Sequence, residues 1–250
     1  MDEEGPAAPH RRILLKLSGE LLAGTRGFGF DPAVLDRVAA ELAAAVAAGV
    51  QVGVVVGGGN IFRGLTGAMG GVDRVRGDHM GMLATVINGL AMADALERAG
   101  RPARVMTALE MQRVAEPFEQ RAAMAHLAAG RVVIFAAGTG CPFFSTDTAA
   151  ALRAVEIHAD VLLKGTKVDG VYDKDPVKHA DAVRFPWISY EQVVRDSLRV
   201  MDITATSIAM DHQLPIVVFD MTQPGNLARV LRGEPIGTFV GPRAGSAEVR

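Results

Sequence analysis

The chain is predicted to fold as an α/β protein with a central, mainly parallel sheet covered by helices. The first observation behind this is that apolar runs of strand length, such as RILLKL (12–17) and VQVGVVV (50–56), alternate with longer segments of helical period. The second is size and composition: 250 residues, 49% of them hydrophobic, suit one large domain or two closely packed lobes sharing a core. The third is that no Pro/Ser-rich linker and no internal repeat divides the chain into independent units.

Taken in order, strands are expected at 12–17, 50–56, 103–107 (ARVMT), 131–136 (RVVIFA), 160–163 (DVLL) and 215–219 (PIVVF). Between the first two, Val34, Leu35, Val38, Leu42 and Val46 recur at helical spacing, opened by Asp31-Pro32 as cap and first-turn residue and closed by Gly49. A second long helix is expected from about Asp78 to Ala99 with Gly100 as its stop, and a third from about Thr146 to Ile157. Two more are placed at about 190–211 and 225–232. Residues 1–10 and 242–250 read as flexible tails around a single domain, 11–241, with a soft boundary near 160.

Composition excludes several functions. A net charge of −2 and a pI near 6.3 give no electrostatic reason to expect a nucleic-acid or acidic-membrane partner. Cys141 is the only cysteine, so an intramolecular disulfide and a Cys-rich metal site are ruled out, in agreement with a reducing, cytoplasmic setting. The polar, Pro-containing residues 1–12 match no secretory signal, and no later stretch has the apolar length of a membrane span.

Glycine loops offer the first chemistry. Val56-Gly57-Gly58-Gly59-Asn60 leaves a strand and enters a region holding Arg63 and Gly64. Three successive glycines remove every Cβ, so a phosphate can approach backbone N–H groups while a guanidinium supplies charge; a turn without a ligand reads equally well. Its position at the carboxyl end of a strand is where open α/β sheets bind ligands. In Leu15-Lys16-Leu17-Ser18-Gly19 a lysine interrupts an apolar run just before a glycine. A buried ammonium is costly unless an anion neutralises it, so Lys16 is a candidate for holding a phosphoryl group, with snorkelling at a strand end as the alternative. Lys164, after DVLL, has the same two readings. Gly138-Thr139-Gly140, followed by Ser145-Thr146-Asp147-Thr148 at a helix start, gathers hydroxyls and helix N–H groups suited to an anion or a ribose, while Thr146 and Asp147 also read as N-cap residues.

The chain has no GxxxxGK[ST] motif, no GxGxxG with its acidic partner, no protein-kinase signature, no metal-ligand His spacing and no Ser/His/Asp or Cys/His set. Five blocks remain: RILLKLSGE (12–20), GVVVGGGNIFRG (53–64), GDHMGMLATVINGLAM (77–92), AAGTGCPFFSTD (136–147) and LLKGTKVDGVYDKDP (162–176). Together they resemble the amino acid kinase superfamily and, within it, the bacterial-type UMP kinases, from Arg12 to about Val240. The first, second and last are shared in kind with relatives that phosphorylate carboxylates or carbamate. GDHMGMLAT and GTGCPFFSTD are the blocks that resemble UMP kinases.

The resemblance implies a three-layer αβα sandwich, with an acceptor-binding lobe of about 11–160 and an ATP-binding lobe of about 161–241. It implies that Lys16, Leu17, Ser18, Gly19, Gly59 and Arg63 line the ATP phosphates and that Thr166, Tyr172 and Asp175 surround adenine and its ribose. Gly58, Asp78, Thr139, Gly140, Cys141, Pro142, Phe143, Phe144, Ser145 and Thr146 would hold UMP, Asp78 by accepting two ribose hydroxyls or else serving only as a helix N-cap. Lys16 and Lys164 would neutralise the transferring group together with Mg²⁺ held mainly by ATP phosphates, and Asp147 and Asp202 would orient the lysines or the hydrated metal. No dedicated protein metal site is expected.

The resemblance further implies a homohexamer, activated by GTP and inhibited by UTP. Gly24, Thr25, Arg26, Gly27, Phe28 and Gly29, with Arg104 and Arg131, correspond to positions linked to the GTP response. Ala93 and Glu97 stand where other members carry basic residues, which weakens that expectation. The apolar 78–99 helix suits a subunit interface or, alternatively, a fully buried core position. Two other readings stay open: an N-acetylglutamate or carbamate kinase, and a non-catalytic nucleotide sensor or anion-storage assembly on the same scaffold.

Overall fold

The computed structural model describes residues 10–62, 71–176, 178–198 and 200–242. Arg63 and Gly64 of the glycine-loop region, and most of both tails, lie outside the described residues.

One nine-stranded sheet forms the centre, in the order β4-β3-β5-β2-β1-β6-β8-β9-β7. The strands are β1 (Arg12–Leu17), β2 (Gln51–Val56), β3 (Ala103–Thr107), β4 (Glu116–Pro117), β5 (Val132–Ala136), β6 (Val161–Thr166), β7 (Trp187–Ile188), β8 (Ile216–Asp220) and β9 (Thr238–Val240). Every ladder is parallel except β8 with β9. β1 hydrogen-bonds to both β2 and β6, so the sheet runs unbroken from the N-terminal half of the chain into the C-terminal half.

Eight helices cover the sheet among the described residues: α1 (Gly19–Leu22), α2 (Pro32–Ala47), α3 (Arg74–Arg98), α4 (Gln120–Ala128), α5 (Thr146–Glu156), α6 (Tyr190–Arg195), α7 (Ile203–Asp211) and α8 (Asn226–Leu231). The period of two along β1 divides the core. Ile13, Leu15 and Leu17 face one way and join a cluster with Leu35 and Leu42 of α2, Met92 and Leu96 of α3 and Leu227 of α8. Leu14 faces the other way, with Leu127 of α4, Ala150 and Ala154 of α5, Val193 of α6 and Ala209 of α7. The result is three layers, as expected.

Several boundaries differ from the sequence expectation. α3 starts at Arg74, and its N-cap is Asp73, whose Oδ1 accepts the Arg76 N–H at 3.2 Å. Asp78 is thus inside the helix, and its reading as a cap fails; GVDRVRGD (71–78) presents two acidic residues five apart, Asp73 and Asp78, and local hydrogen bonding favours the earlier one. α5 is capped by Ser145, not by Thr146 or Asp147. The single helix expected at 190–211 is two, α6 and α7, because Asp202 accepts the Ala205 N–H at 2.8 Å and opens a new helix. β4, β7, β9, α1 and α4 were not expected; the three strands have only two or three residues each, too few for a period to show.

Candidate active site

Ligands of open α/β sheets bind at the carboxyl ends of strands where the strand order reverses, and here that place is β1, flanked by β2 and β6. Lys16 and Lys164 stand directly opposite each other in the β1/β6 register. On this parallel pair both side chains fall on the α5 face of the sheet. Two neighbouring ammonium groups repel, and the first turn of α5 supplies what holds them. Asp147 Oδ1 lies 2.7 Å from Lys16 Nζ, and its Oδ2 accepts from Lys164 Nζ at 2.8 Å. Burial alone would raise the Asp147 pKa, but the charges of Lys16 and Lys164 outweigh it and hold the carboxyl below its ordinary range. Burial lowers the Lys164 pKa, with Lys16 adding to the fall and Asp147 opposing it. Lys164 also donates to the Val200 carbonyl. Two ammonium groups thus share one carboxylate in direct contact, with the Asp202 charge acting on Lys164 from one step further back.

Asp202 acts one step behind. It caps α7 and receives the Thr148 hydroxyl at 2.9 Å and the Ser145 hydroxyl. Ser145 Oγ in turn accepts from the backbone N–H of Asp147 (2.9 Å) and Thr148 (3.2 Å). A hydroxyl has one donor and two acceptor positions, so Ser145 is fully used as a cap and contributes to a ligand only by shape.

The glycine loop packs against β1 with no room for side chains. A Cβ on Gly19 would fall 2.9 Å from the Gly57 carbonyl and from Gly59 N, and one on Gly58 would meet Ala84 and the Gly81 carbonyl at 2.8 Å. Ser18 caps α1 by accepting the Leu21 N–H at 3.2 Å. The close approach of backbone to backbone is therefore one physical reason for these glycines, whatever else they bind.

A cavity of about 370 Å³ opens beside this loop, lined by Gly58, Gly59, Asp78, Thr139, Cys141, Phe144, Ser145 and Thr146 among the residues expected to bind, and by Glu20, Met82 and Thr85 in addition. Gly140, Pro142 and Phe143 belong to the same loop but do not line it. Gly140 makes the turn at φ +79°, and Phe143 sits at φ +73° and is 66% exposed. The Phe143 N–H donates to Asp78 Oδ2 at 2.8 Å, Arg74 Nε donates to the same oxygen at 2.8 Å, and the Arg74 guanidinium lies 5.3 Å from the Phe143 ring centre. Slight burial pushes the Asp78 pKa up, but these hydrogen bonds and the Arg74 charge hold it below its ordinary value.

A second cavity, of about 600 Å³, follows β6 and is lined by Tyr172 and Asp175 with Lys174, Lys178, His179 and Leu198. Tyr172 donates its hydroxyl to Asp169 Oδ1 at 2.6 Å, which raises its pKa. Thr166 does not line this cavity. Its hydroxyl closes the adjoining turn by accepting the Val168 N–H at 3.1 Å.

The residues linked by resemblance to an effector fall in two places. Gly24–Gly29 form the turn between α1 and α2, with Arg26 3.8 Å from Asp31 and Phe28 71% exposed. Arg104 lies 3.3 Å from Glu116 at the other edge of the sheet. There Arg131 donates to His126 Nδ1 at 2.8 Å, leaving the ring Nε2–H for Glu116 Oε2 at 2.9 Å.

Sequence reasoning missed Arg74, Thr85 and Asn88. The last two had a signal: they are polar residues three apart on an otherwise apolar helical stretch, which places them together on one face.

The comparisons agree with this geometry. The amino acid kinase family matches residues 11–220. A uridylate kinase of Xanthomonas oryzae pv. oryzae is 59% identical over 235 residues, covering 94% of this chain and 98% of the relative. The crystal structure of a UMP kinase from Bacillus anthracis superposes with a TM-score of 0.90 at 39% identity, covering 93% of this chain and 96% of that one. A UMP kinase from Ureaplasma parvum gives 0.87 at 32% identity, covering 93% and 99%. A paired-lysine centre at the switch point of the sheet, glycine loops on both sides of it and full-length similarity of this degree lead to one statement: the chain belongs to the amino acid kinase family and, within it, to the uridylate kinases.

Proposed function

We propose that the chain is a UMP kinase that moves the γ-phosphoryl group of ATP directly onto UMP, giving ADP and UDP in pyrimidine nucleotide biosynthesis. The observation that carries this reading is that the Lys16–Asp147–Lys164 centre adjoins a cavity lined by Gly138, Thr139, Cys141, Phe144, Ser145 and Thr146. A UMP phosphate oxygen bonds to the γ-phosphorus as the bond from that phosphorus to the β–γ bridging oxygen breaks, and the electron pair leaves with ADP. No covalent enzyme intermediate is needed, so positioning and charge neutralisation carry the rate. Lys16 and Lys164 act on the transferring group; Asp147 spaces them; Asp202 acts through Ser145 and Thr148 on the first turn of α5.

Leu17, Ser18, Gly19 and Gly59 lie at the strand ends where the ATP phosphates would bind, with Arg63 assigned there on resemblance alone. Thr166, Tyr172 and Asp175 are assigned to adenosine, the last two through the cavity after β6. The residues of 139–146, with Gly58 and Asp78, are assigned to UMP. Asp78 keeps Oδ1 for a ribose hydroxyl while Oδ2 serves Phe143 and Arg74. The acceptor lobe is then about 11–160 and the ATP lobe about 161–241. Mg²⁺ enters with ATP, where it neutralises phosphate charge. Both Asp147 oxygens already face lysines, so the ion would be held mainly by phosphate oxygens.

We further infer self-association, with a homohexamer as the expected form. Met80, Leu83, Ile87 and Leu90 repeat on α3 at spacings of three and four and are each 38–48% exposed, which argues against a fully buried helix and for a partner surface. GTP activation and UTP inhibition remain expectations from resemblance. A cytoplasmic location is supported by composition, and no helix among the described residues is long and apolar enough to cross a membrane.

The test is ADP formation with Mg-ATP and each of UMP, CMP, dUMP, N-acetylglutamate and carbamate, against a control without acceptor. Turnover with UMP and none with the carboxylate or carbamate is expected. Turnover with only the latter two would overturn the assignment of 139–146, and no turnover at all would favour a sensor or storage role.

A further inference from the structure

The glycine loop has a support that the chemistry above does not use. Asn60 keeps 1% of its surface exposed and Asn88 none. Their amides pair reciprocally, Asn60 Nδ2 donating to Asn88 Oδ1 at 2.9 Å and Asn88 Nδ2 to Asn60 Oδ1 at 2.7 Å. Each amide spends its other N–H on a glycine carbonyl: Asn88 on Gly57 at 2.7 Å, Asn60 on Gly29 at 2.6 Å. The Gly29 N–H returns to the Asn60 carbonyl at 2.9 Å.

Stability alone does not call for this pair. Replacing two buried hydrogen-bonding partners by apolar groups of similar shape is often neutral or stabilising, and apart from Thr85 the buried side chains around it on α3, such as Met82, Val86 and Met92, are apolar core. What amides supply and a leucine does not is direction. Gly57, Gly58 and Gly59 have no side chains by which to be held, and glycine loses more backbone freedom on ordering than any other residue. The loop can be oriented only through its peptide groups. Asn88 grips the Gly57 carbonyl, and because the peptide is planar and trans, the Gly58 N–H is turned to the opposite side. One turn earlier on α3, the Thr85 hydroxyl accepts the Ala137 N–H at 2.7 Å, at the start of the loop on the other side of the cavity.

We propose that Asn88, with Asn60 as its partner, is a positioning residue for phosphoryl transfer: it fixes the Gly57–Gly58 peptide so that loop N–H groups meet the nucleotide phosphates in one orientation. This rests on the kinase reading above. α3 then sets the distance between donor and acceptor loops from a single rigid element.

The experiment compares four full-length proteins: wild type, Asn88→Ala, Asn60→Leu/Asn88→Leu, and Val86→Ala, a core truncation on the same helix that leaves the amide pair intact. Each is read by hydrogen exchange of residues 57–60 and by kcat and KM for UMP and ATP. The double variant replaces both amides by apolar groups and so keeps the test open if Asn88→Ala fails to fold. In both asparagine variants, exchange at 57–60 is expected to rise and kcat/KM to fall at least about tenfold, with kcat sharing the loss. Val86→Ala is expected to melt earlier with neither change. Asparagine variants whose exchange or kinetics match Val86→Ala overturn the proposal while leaving the kinase reading intact. A wild type that does not phosphorylate UMP overturns both.

Discussion

The two sides of the site are built differently. On the phosphoryl side, Lys16, Asp147 and Lys164 lie on two central strands and the first turn of a packed helix, their side chains only 9%, 16% and 15% exposed. On the acceptor side, the loop from Gly138 to Ser145 is held across the cavity mouth by Asp78, Arg74 and the Phe143 N–H, with the Arg74 side chain 43% exposed. The first arrangement is part of the core and forms when the sheet forms. The second can be rearranged without disturbing the core, so substitutions there should alter acceptor binding and leave folding largely alone.

The largest effect should therefore come from Asp147→Ala. Removing it leaves two buried ammonium groups facing each other, and breaking a buried pair in this way costs about 3–5 kcal/mol. Denaturant unfolding should show that loss together with abolished turnover, and added phosphate should restore part of the stability. A variant as stable as wild type would mean that the triad is not the braced centre the geometry implies.

Acidity provides a second way to separate the two sides. The Asp147 pKa is depressed from an ordinary 3.8, so its contribution to stability is fully present above that value and is lost as pH falls through the folded-state pKa below it. Between neutral pH and pH 5 the stability gap between wild type and Asp147→Asn should stay flat. It should close only in stronger acid. Lys164 has a linkage of the same sign in a different window: its folded pKa is also lowered, so the cost of burying its charge is relieved as pH rises from that folded value toward 10.5. A gap that closes near neutrality would contradict the depressed Asp147 pKa.

Lys16→Ala tests chemistry within the braced centre. Its charge acts mainly on the transferring group, so kcat should fall by about a hundredfold or more while KM for UMP changes little. A change in KM alone would remove Lys16 from the catalytic set.

How much of this could be read in the sequence divides along the same line. All six expected strands formed, because each apolar run is of strand length, most of them rich in β-branched residues, and alternates with longer segments of helical period. Lys16 and Lys164 were visible as charges interrupting such runs. That they stand side by side was not, since register between strands distant in the chain depends on the whole sheet. Asp147 was found, but its two-oxygen bridge was not, and neither were Arg74 or the Asn60–Asn88 pair, whose partners are 28 residues apart. The cap of α3 was misplaced because Asp73 and Asp78 look alike until the helix chooses its start. Local patterns report burial and period; they carry little about which distant polar groups will meet.

On the acceptor side, Asp78→Asn should raise KM for UMP and leave KM for ATP and the unfolding free energy nearly unchanged, because an exposed ion pair contributes at most about 1 kcal/mol. Unaltered UMP affinity would leave Asp78 as a strap for the loop only.

Phe143→Gly should give the smallest effect on stability. The φ of +73° costs a non-glycine residue about 1–2 kcal/mol, which glycine relieves. Against this stand the extra freedom glycine gives the unfolded chain, about 0.4–1 kcal/mol, and the lost contact with Arg74, about 0.5–1 kcal/mol at an exposed site. These terms nearly cancel, so the melting midpoint should move by only a degree or two either way. KM for UMP should nevertheless rise, because the loop loses the ring that rests on Arg74. A large drop in stability would show that residues 138–145 are part of the folded core after all, and the contrast between the two sides of the site would disappear.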